Sequence, residues 1–254
     1  MIPDLSQRSR QSEEMDARDS DPRKLFRTLD QFKSVNRLFS RVRGPLKAQL
    51  FPLLSPHQDT HLLDLGAGGC DIPVWLLTQA KKKGLRLRIT AVDSDPRVIE
   101  HARNCHAQVK GLSIIQADAL DLEALAPFDF IFANHFLHHL DDQEIKTVLH
   151  NSHQLASKGY LFSDLKRSTF SYRAYSIISL CYRDSFTRKD GLISICKGFT
   201  PQELKHFAPA ENVQVTQKFP GRLYLSFVPQ IPSSTSDESS QTQFTEGLGN
   251  GDAP

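Results

Sequence analysis

Between His61 and Ser163 short apolar runs alternate with longer polar stretches of helical spacing. The runs are His61–Leu65, Leu87–Val92, Leu112–Ile115, Phe128–Ala133 and Tyr160–Ser163, and each predicts a strand. The intervening Pro73–Lys82, Pro96–Val109 and Gln143–Leu155 predict helices. Strands that are nearly continuous in apolar residues suit a parallel sheet buried on both faces. The pattern therefore predicts an α/β fold, a mostly parallel sheet with helices on both faces. Two later candidates, Val213–Lys218 and Arg222–Val228, flank Pro220-Gly221 and predict a closing antiparallel hairpin.

Outside that region the pattern changes. From Asp21 a cap, a proline at the first helical position and Leu25, Leu29 and Phe32 predict a helix. A second helical stretch over Val35–Leu54 holds Gly44-Pro45 and is expected to break or kink there. Residues 165–208 read as helix and loop. Residues 1–20 and 231–254 lack regular apolar anchors and are expected to be disordered, the second as an acidic tail. Residues 21–230 are left as one domain, with N-terminal helices over 21–56 and an insertion at 165–208 that would cap a substrate.

Composition adds limits. The chain has 254 residues, 39% of them apolar, and a formal charge of +2, which gives no general electrostatic attraction for nucleic acid. Cys70, Cys105, Cys181 and Cys196 form no CxxC pair and read as reduced thiols of a cytoplasmic protein. No stretch is long and apolar enough to predict a membrane span. Nothing in the sequence sets an oligomeric state.

The chemistry begins at Asp64-Leu65-Gly66-Ala67-Gly68-Gly69-Cys70-Asp71, a glycine-rich turn between the first strand and the first helix of the alternating region. Such a turn lets a ligand approach the backbone closely, and it lies at the carboxyl end of a strand, where open α/β sheets bind ligands. Taken alone it is also an ordinary tight turn. The second strand ends in Asp93, with Ser94 and Asp95 following; a carboxylate there can accept hydrogen bonds from two ribose hydroxyls, while Asp95 can cap the next helix. After the third strand, Asp118 and Ala119 stand where an adenine amino group could be met. The fourth strand ends in Ala133-Asn134-His135.

These segments together resemble the class I, Rossmann-like S-adenosylmethionine (SAM)-dependent methyltransferases. LDLGAGGCDIP (63–73) resembles that family's first motif, AVDSDPRVIEHAR (91–103) its second, QADAL (116–120) its third and FDFIFANHFLHHL (128–140) its fourth. The resemblance implies a seven-stranded sheet whose last strands are antiparallel. It implies a SAM cofactor with Asp64, Gly66, Ala67 and Gly68 along the methionine and ribose part. Asp93 and Ser94 would hold the ribose, Asp118 and Ala119 would flank adenine, and Asn134 would sit near the methionine end. LHHL (137–140), SDLKRSTFSYRAY (163–175) and DGLISICKGFTPQEL (190–204) are similar to small bacterial methyltransferases of secondary metabolism, so the implied acceptor is a small molecule, such as the oxygen of a phenolic or polyketide-like metabolite. Cys70 departs from the motif, where glycine is usual.

Other readings of the same fold are weaker. A nicotinamide-dependent oxidoreductase wants GxGxxG, and Asp71 would set a negative charge beside a pyrophosphate. A nucleic-acid or protein methyltransferase remains the alternative, but Asn134-His135-Phe136 lacks the prolines of base-amino methylators. Residues 165–205 carry eight Lys/Arg against three Asp/Glu, a pattern of solvated faces as much as of anion binding. A SAM-binding scaffold without catalysis is the third.

His135, His138, His139, His150 and His153 lie close together in sequence. If helical, His135 and His139 share a face at a metal-ligand spacing, but no third ligand is evident nearby, so no metal is expected. His138 and His139 are instead the candidate bases for a hydroxyl acceptor, since imidazole takes a proton near neutral pH. Phe26, Phe32, Phe39, Phe170, Tyr172, Tyr175 and Tyr182 are candidates for an aromatic-lined acceptor pocket, and Arg167 and Arg173 for contact with an acidic group, although aromatics at helical spacing more often form core.

Overall fold

In the computed structural model, residues 2–38, 41–122 and 127–229 are described. The expected acidic tail at 231–254 and Phe39 lie outside them.

Seven strands form one sheet: β1 (Thr60–Leu65), β2 (Leu87–Asp93), β3 (Leu112–Gln116), β4 (Phe130–Asn134), β5 (Tyr160–Leu165), β6 (Gln214–Lys218) and β7 (Arg222–Phe227). Their order is β3-β2-β1-β4-β5-β7-β6. The first five run parallel, and β7 is antiparallel to both β5 and β6. The expected terminal hairpin is present, inserted so that β7 and not β6 pairs with β5.

Both faces of the sheet are covered because alternate residues point to opposite sides. On one face Leu63, Leu65, Ile131 and Phe162 pack with Ile145, Val148 and Leu149 of α5 (Asp142–Leu155). On the other, Leu62, Phe130, Phe132 and Leu161 pack with Leu46 and Leu50 of α2 (Arg43–Leu50) and with Leu76 and Leu77 of α3 (Asp71–Lys82). Each such side chain, removed from water, contributes about 1.5–3 kcal/mol.

Local chemistry sets the helix starts. α1 (Pro22–Leu38) begins where the Asp21 carboxylate accepts from the Arg23 amide at 2.8 Å. α4 (Pro96–His106) begins on Asp95, which accepts from Arg97, with proline at the first position. α5 begins on a reciprocal Asp141/Glu144 capping box. Beyond β5 come α6 (Thr169–Ile178), α7 (Thr187–Lys197) and α8 (Pro201–His206), the last with a Thr200/Glu203 capping box.

Two expectations change. Gly44-Pro45 breaks no helix: both sit in the first turn of α2, where proline's missing N–H has no intrahelical partner to lose. Residues 2–20 are not a free tail but a strap laid across the carboxyl end of the sheet. Arg8 donates to the carbonyls of Leu140 and Lys197 and pairs with Asp142. Arg167 donates to the carbonyls of Leu5 and Ser6, and the buried Asp190 carboxylate accepts from the amides of Glu14 and Met15. The strap is fixed by polar bonds to other elements, so its own lack of apolar periodicity does not leave it loose.

Candidate functional site

The order of the sheet reverses at β1, which has β2 on one side and β4 on the other. In a parallel sheet that switch point opens a crevice at the carboxyl ends of the strands. The register sets Leu65 against Val92 and Ala133, so the chain turns out of β1 at Gly66 beside the ends of β2 and β4.

The turn needs glycine. Gly66 and Gly68 have φ of 62° and 52°, and a Cβ on Gly66 would stand 2.6 Å from the Phe136 ring. Cys70 takes the same left-handed conformation at φ 57° without being glycine, its thiol buried against Ala91 and Ala102. The Cβ of Cys70 thus packs toward the sheet and not into the crevice. The Gly68 amide donates to the Asp93 carboxylate at 3.1 Å, tying the turn to the end of β2.

A cleft of about 330 Å³ lies over this turn. Gly66, Gly68, Asp93, Ser94, Asp118 and Ala119 line it, together with Met15, His135 and His139. Of the expected cofactor residues, three lie behind the wall and not on it. Asp64 is buried beneath the turn. Ala67 is held by its amide to the Val92 carbonyl at 2.9 Å. Asn134 donates to Asn36 and accepts from Arg222.

The cleft is backed by negative charge. Burial, with mutual repulsion from Asp71 and Asp93, raises the Asp64 carboxyl well above its ordinary range, and burial raises Asp71 and Asp93 as well. One buried and two half-buried carboxylates around one turn suit a cationic ligand and oppose a phosphate. Acceptors of this kind fit the cationic sulfonium and ammonium groups of SAM.

A second cavity of about 130 Å³ adjoins the first. Its walls include Phe32, Val35, Tyr175, Ile178 and Ile195, with Glu13, His138 and Arg222 among its polar groups. Met15, His135 and His139 line both cavities and so stand at their junction. Of the expected aromatic lining, Phe32 and Tyr175 are present; Phe26 stacks on His101, and Phe170 is exposed. Arg167 lines neither cavity; it is buried and pairs with Glu203.

The histidines do not share a helix face as the i,i+4 spacing would require. His135 has a φ of 57°, and 137–139 form a single tight turn. Their roles separate. His135 accepts from Arg222 at 2.8 Å, and burial beside that guanidinium holds it well below its ordinary pKa. His138 is buried, and its Nδ1 lies 2.7 Å from Asp164. That contact fixes Nδ1–H as donor and leaves the Nε2 lone pair free. Burial lowers its pKa against the pull of Asp164. His139 is lowered by burial too, but its 3.1 Å bond to Asp16 and the charge of Glu13 carry it above the usual value.

Glu13, Met15, Asp164 and Arg222 escaped the reading of the sequence. Asp164 carried a signal, as the carboxylate that closes β5. Glu13 and Met15 carried none, being in a polar segment more than a hundred residues from the histidines.

The sheet order and this cleft are those of a Rossmann-like methyltransferase fold. Residues 62–159 match the family model described as "Methyltransferase domain". Among solved structures the chain is similar to human N-acetylserotonin methyltransferase in complex with SAM, at a TM-score of 0.59 and 14% identity, covering 81% of this chain. It spans 56% of the length of that enzyme. A SAM-dependent methyltransferase from Aquifex aeolicus gives a TM-score of 0.54 at 16% identity, over 81% of this chain and 97% of that one. The plantazolicin methyltransferase BamL, in complex with a triazolic desmethylPZN analog and S-adenosylhomocysteine (SAH), gives 0.52 at 13%, over 84% and 87%. At these identities the likeness is one of fold. No curated protein matches the chain.

Proposed function

We propose that the protein moves a methyl group from SAM to the oxygen of a small phenolic or polyketide-like acceptor. The observation that carries this is the pair of adjoining cavities with Met15, His135 and His139 at their junction. The larger is lined by the carboxylate and glycine residues suited to the cofactor. The smaller, at about 130 Å³, is on the scale of cavities that hold one benzene-sized ring. A ring-sized cavity beneath the strap favours a free small molecule over a nucleic acid. The four free thiols accord with a cytoplasmic setting, and no described helix is long and apolar enough to cross a membrane.

In this reading Asp93 accepts from the ribose hydroxyls, Ser94, Asp118 and Ala119 border the adenine, and the Gly66 and Gly68 backbone approaches the methionine part. Asp64 acts through its charge from behind the wall, Ala67 through the bond that fixes the turn, and Asn134 through the polar chain from Arg222 to Asn36. Bound SAM supplies a methyl group already activated by its sulfonium. The chain's task is orientation and exclusion of water, worth roughly 7–11 kcal/mol when well arranged. His138, its Nδ1–H held by Asp164, offers Nε2 to the acceptor hydroxyl as base. His139, hydrogen-bonded to Asp16 and standing at the junction, is the second candidate.

Calorimetry with SAH tests the cofactor half. The wild type binds one equivalent, and Asp93→Asn binds roughly ten- to a hundredfold more weakly, the loss of a charged hydrogen-bond acceptor. No binding to the wild type removes the reading. A screen of phenols and small acids then finds the acceptor. On it, His138→Ala lowers kcat by about 100-fold or more while SAH affinity stays close to wild type. Unchanged turnover in both His138→Ala and His139→Ala removes the histidine base.

A further inference from the structure

At the polar end of the smaller cavity Glu13, reaching in from the strap, meets His138 and His139 on the turn after β4. Glu13 Oε1 lies 3.7 Å from His138 Nε2 and 3.9 Å from His139 Nδ1. One ligand atom from each of the three lies within 4.8 Å of the others. Glu13 and His138 are 3% and 1% exposed, which leaves almost no water to solvate either.

The pair is electrostatically incomplete. His138 donates its Nδ1–H to Asp164, so its Nε2 carries a lone pair. The facing Glu13 oxygen is also an acceptor. Neither atom has a hydrogen-bond partner among the described residues. Two buried acceptors directed at one another are unfavourable unless something positive stands between them. The Lys197 ammonium, 3.3 Å from Glu13 Oε1, offsets the carboxylate charge in part. It does not supply a donor to His138 Nε2.

We propose that Glu13, His138 and His139 form a binding site for a divalent transition cation of the zinc or cobalt class. Two imidazoles and one carboxylate are a donor set for such ions, whereas magnesium and calcium prefer oxygen alone. Around a tetrahedral ion with bonds of about 2.0–2.2 Å, ligand atoms stand about 3.3–3.5 Å apart. The two Glu13 spacings close to that with shifts of a few tenths of an ångström, while the two imidazoles, within 4.8 Å of one another, close as the His139 ring turns off Asp16. Asp164 behind His138 is the outer carboxylate that orients a metal-bound imidazole and fixes its tautomer. Lys197 competes for Glu13, so the site binds reversibly and not as a permanent structural centre.

The inference rests on the reading above in one respect only, its consequence. The lone pair that would take the acceptor's proton is the one that would hold the ion. A bound cation therefore inhibits methyl transfer, and the site is regulatory.

The test uses the full chain without cofactor, titrated with Co²⁺ as an optical probe and with Zn²⁺ by calorimetry. The expected result is one equivalent of either ion and a visible d–d band for cobalt. Glu13→Gln, which keeps size and shape, weakens both at least tenfold. His139→Ala, at a partly exposed position, does the same in case Glu13→Gln fails to fold. Asp164→Asn weakens them about 10–100-fold. Absence of a cobalt band overturns the proposal, as does binding unchanged in both Glu13→Gln and His139→Ala. SAH calorimetry on the same preparation separates the two readings: the metal site can fail while SAH binds, and SAH can fail to bind while cobalt still titrates. Once the acceptor is known, Zn²⁺ inhibition reversed by a chelator completes the test, and turnover unaffected by saturating Zn²⁺ overturns the regulatory role.

Discussion

At the scale of single residues the cofactor turn is held together against its own charge. Asp64 lies beneath the glycines with no exposure to speak of, close enough to Asp71 and Asp93 for mutual repulsion. Its folded-state pKa is raised, so the unfolded chain releases this proton at a lower pH than the folded one. Stability from this group therefore falls as pH rises from about 3.9, the unfolded value, toward the raised folded value, and stays lower above it. Asp64→Asn removes the charge and offers amide donors to Asp71 and Asp93. Without cofactor it is expected to raise Tm at pH 8 by about 2–4 °C, the shift that about 1 kcal/mol gives in a chain of this size. At pH 3 the gain vanishes, since the acid is then neutral in both states. SAH affinity falls in the same variant, because the charge that destabilises the empty site attracts the cofactor's cation. A variant less stable at pH 8 than the wild type overturns this account of the cluster.

At the scale of elements, what could be read from the sequence followed from short-range rules. Short, nearly continuous apolar runs located β1, β2 and β5 within a residue or two, because each strand is mostly buried apolar residues bounded by turn chemistry. The ends of β1 and β2 supplied Gly66, Gly68 and Asp93 for the same reason: residues closing neighbouring parallel strands must meet at one edge of the sheet. The failures arose where a partner far along the chain decides the outcome. A polar segment such as 2–20 looks disordered to any local rule, yet its bonds to Leu140, Asp190 and Lys197 fix it. The His135–His139 spacing suggested a shared helix face, but the left-handed turn at His135 rotates the two apart. His135 is held there by its amide to the Ser163 carbonyl at 2.9 Å and by Arg222, from two other strands. A non-glycine residue in this conformation costs about 1–2 kcal/mol and persists only when its surroundings determine it.

At the scale of the whole molecule, the strap joins the two cavities to one another. Met15 and Asp16 line the larger cavity, while Glu13 and Met15 line the smaller. Exchange of either ligand past this wall requires the strap to lift. Its bonds are polar: Arg8 on Leu140, Lys197 and Asp142, the Ser9 amide on the Cys196 carbonyl, Arg167 on the carbonyls of Leu5 and Ser6, the Glu14 and Met15 amides on Asp190, Asp16 with His139, and Arg97 on the carbonyls of Ala17, Arg18 and Ser20. Net contributions of about 0.5–1.5 kcal/mol for each hydrogen bond make local opening far cheaper than unfolding the sheet. Arg8→Ala removes one anchor and leaves Asp190 covered by Glu14 and Met15, so the fold is preserved. Two or three lost bonds predict SAH release roughly tenfold faster, measured by stopped-flow displacement, with Tm nearly unchanged. Deleting residues 1–12 removes the Arg8 and Ser9 bonds together and should accelerate release further. Release at the wild-type rate in both variants would mean that the strap is fixed during exchange and that ligands pass by another route.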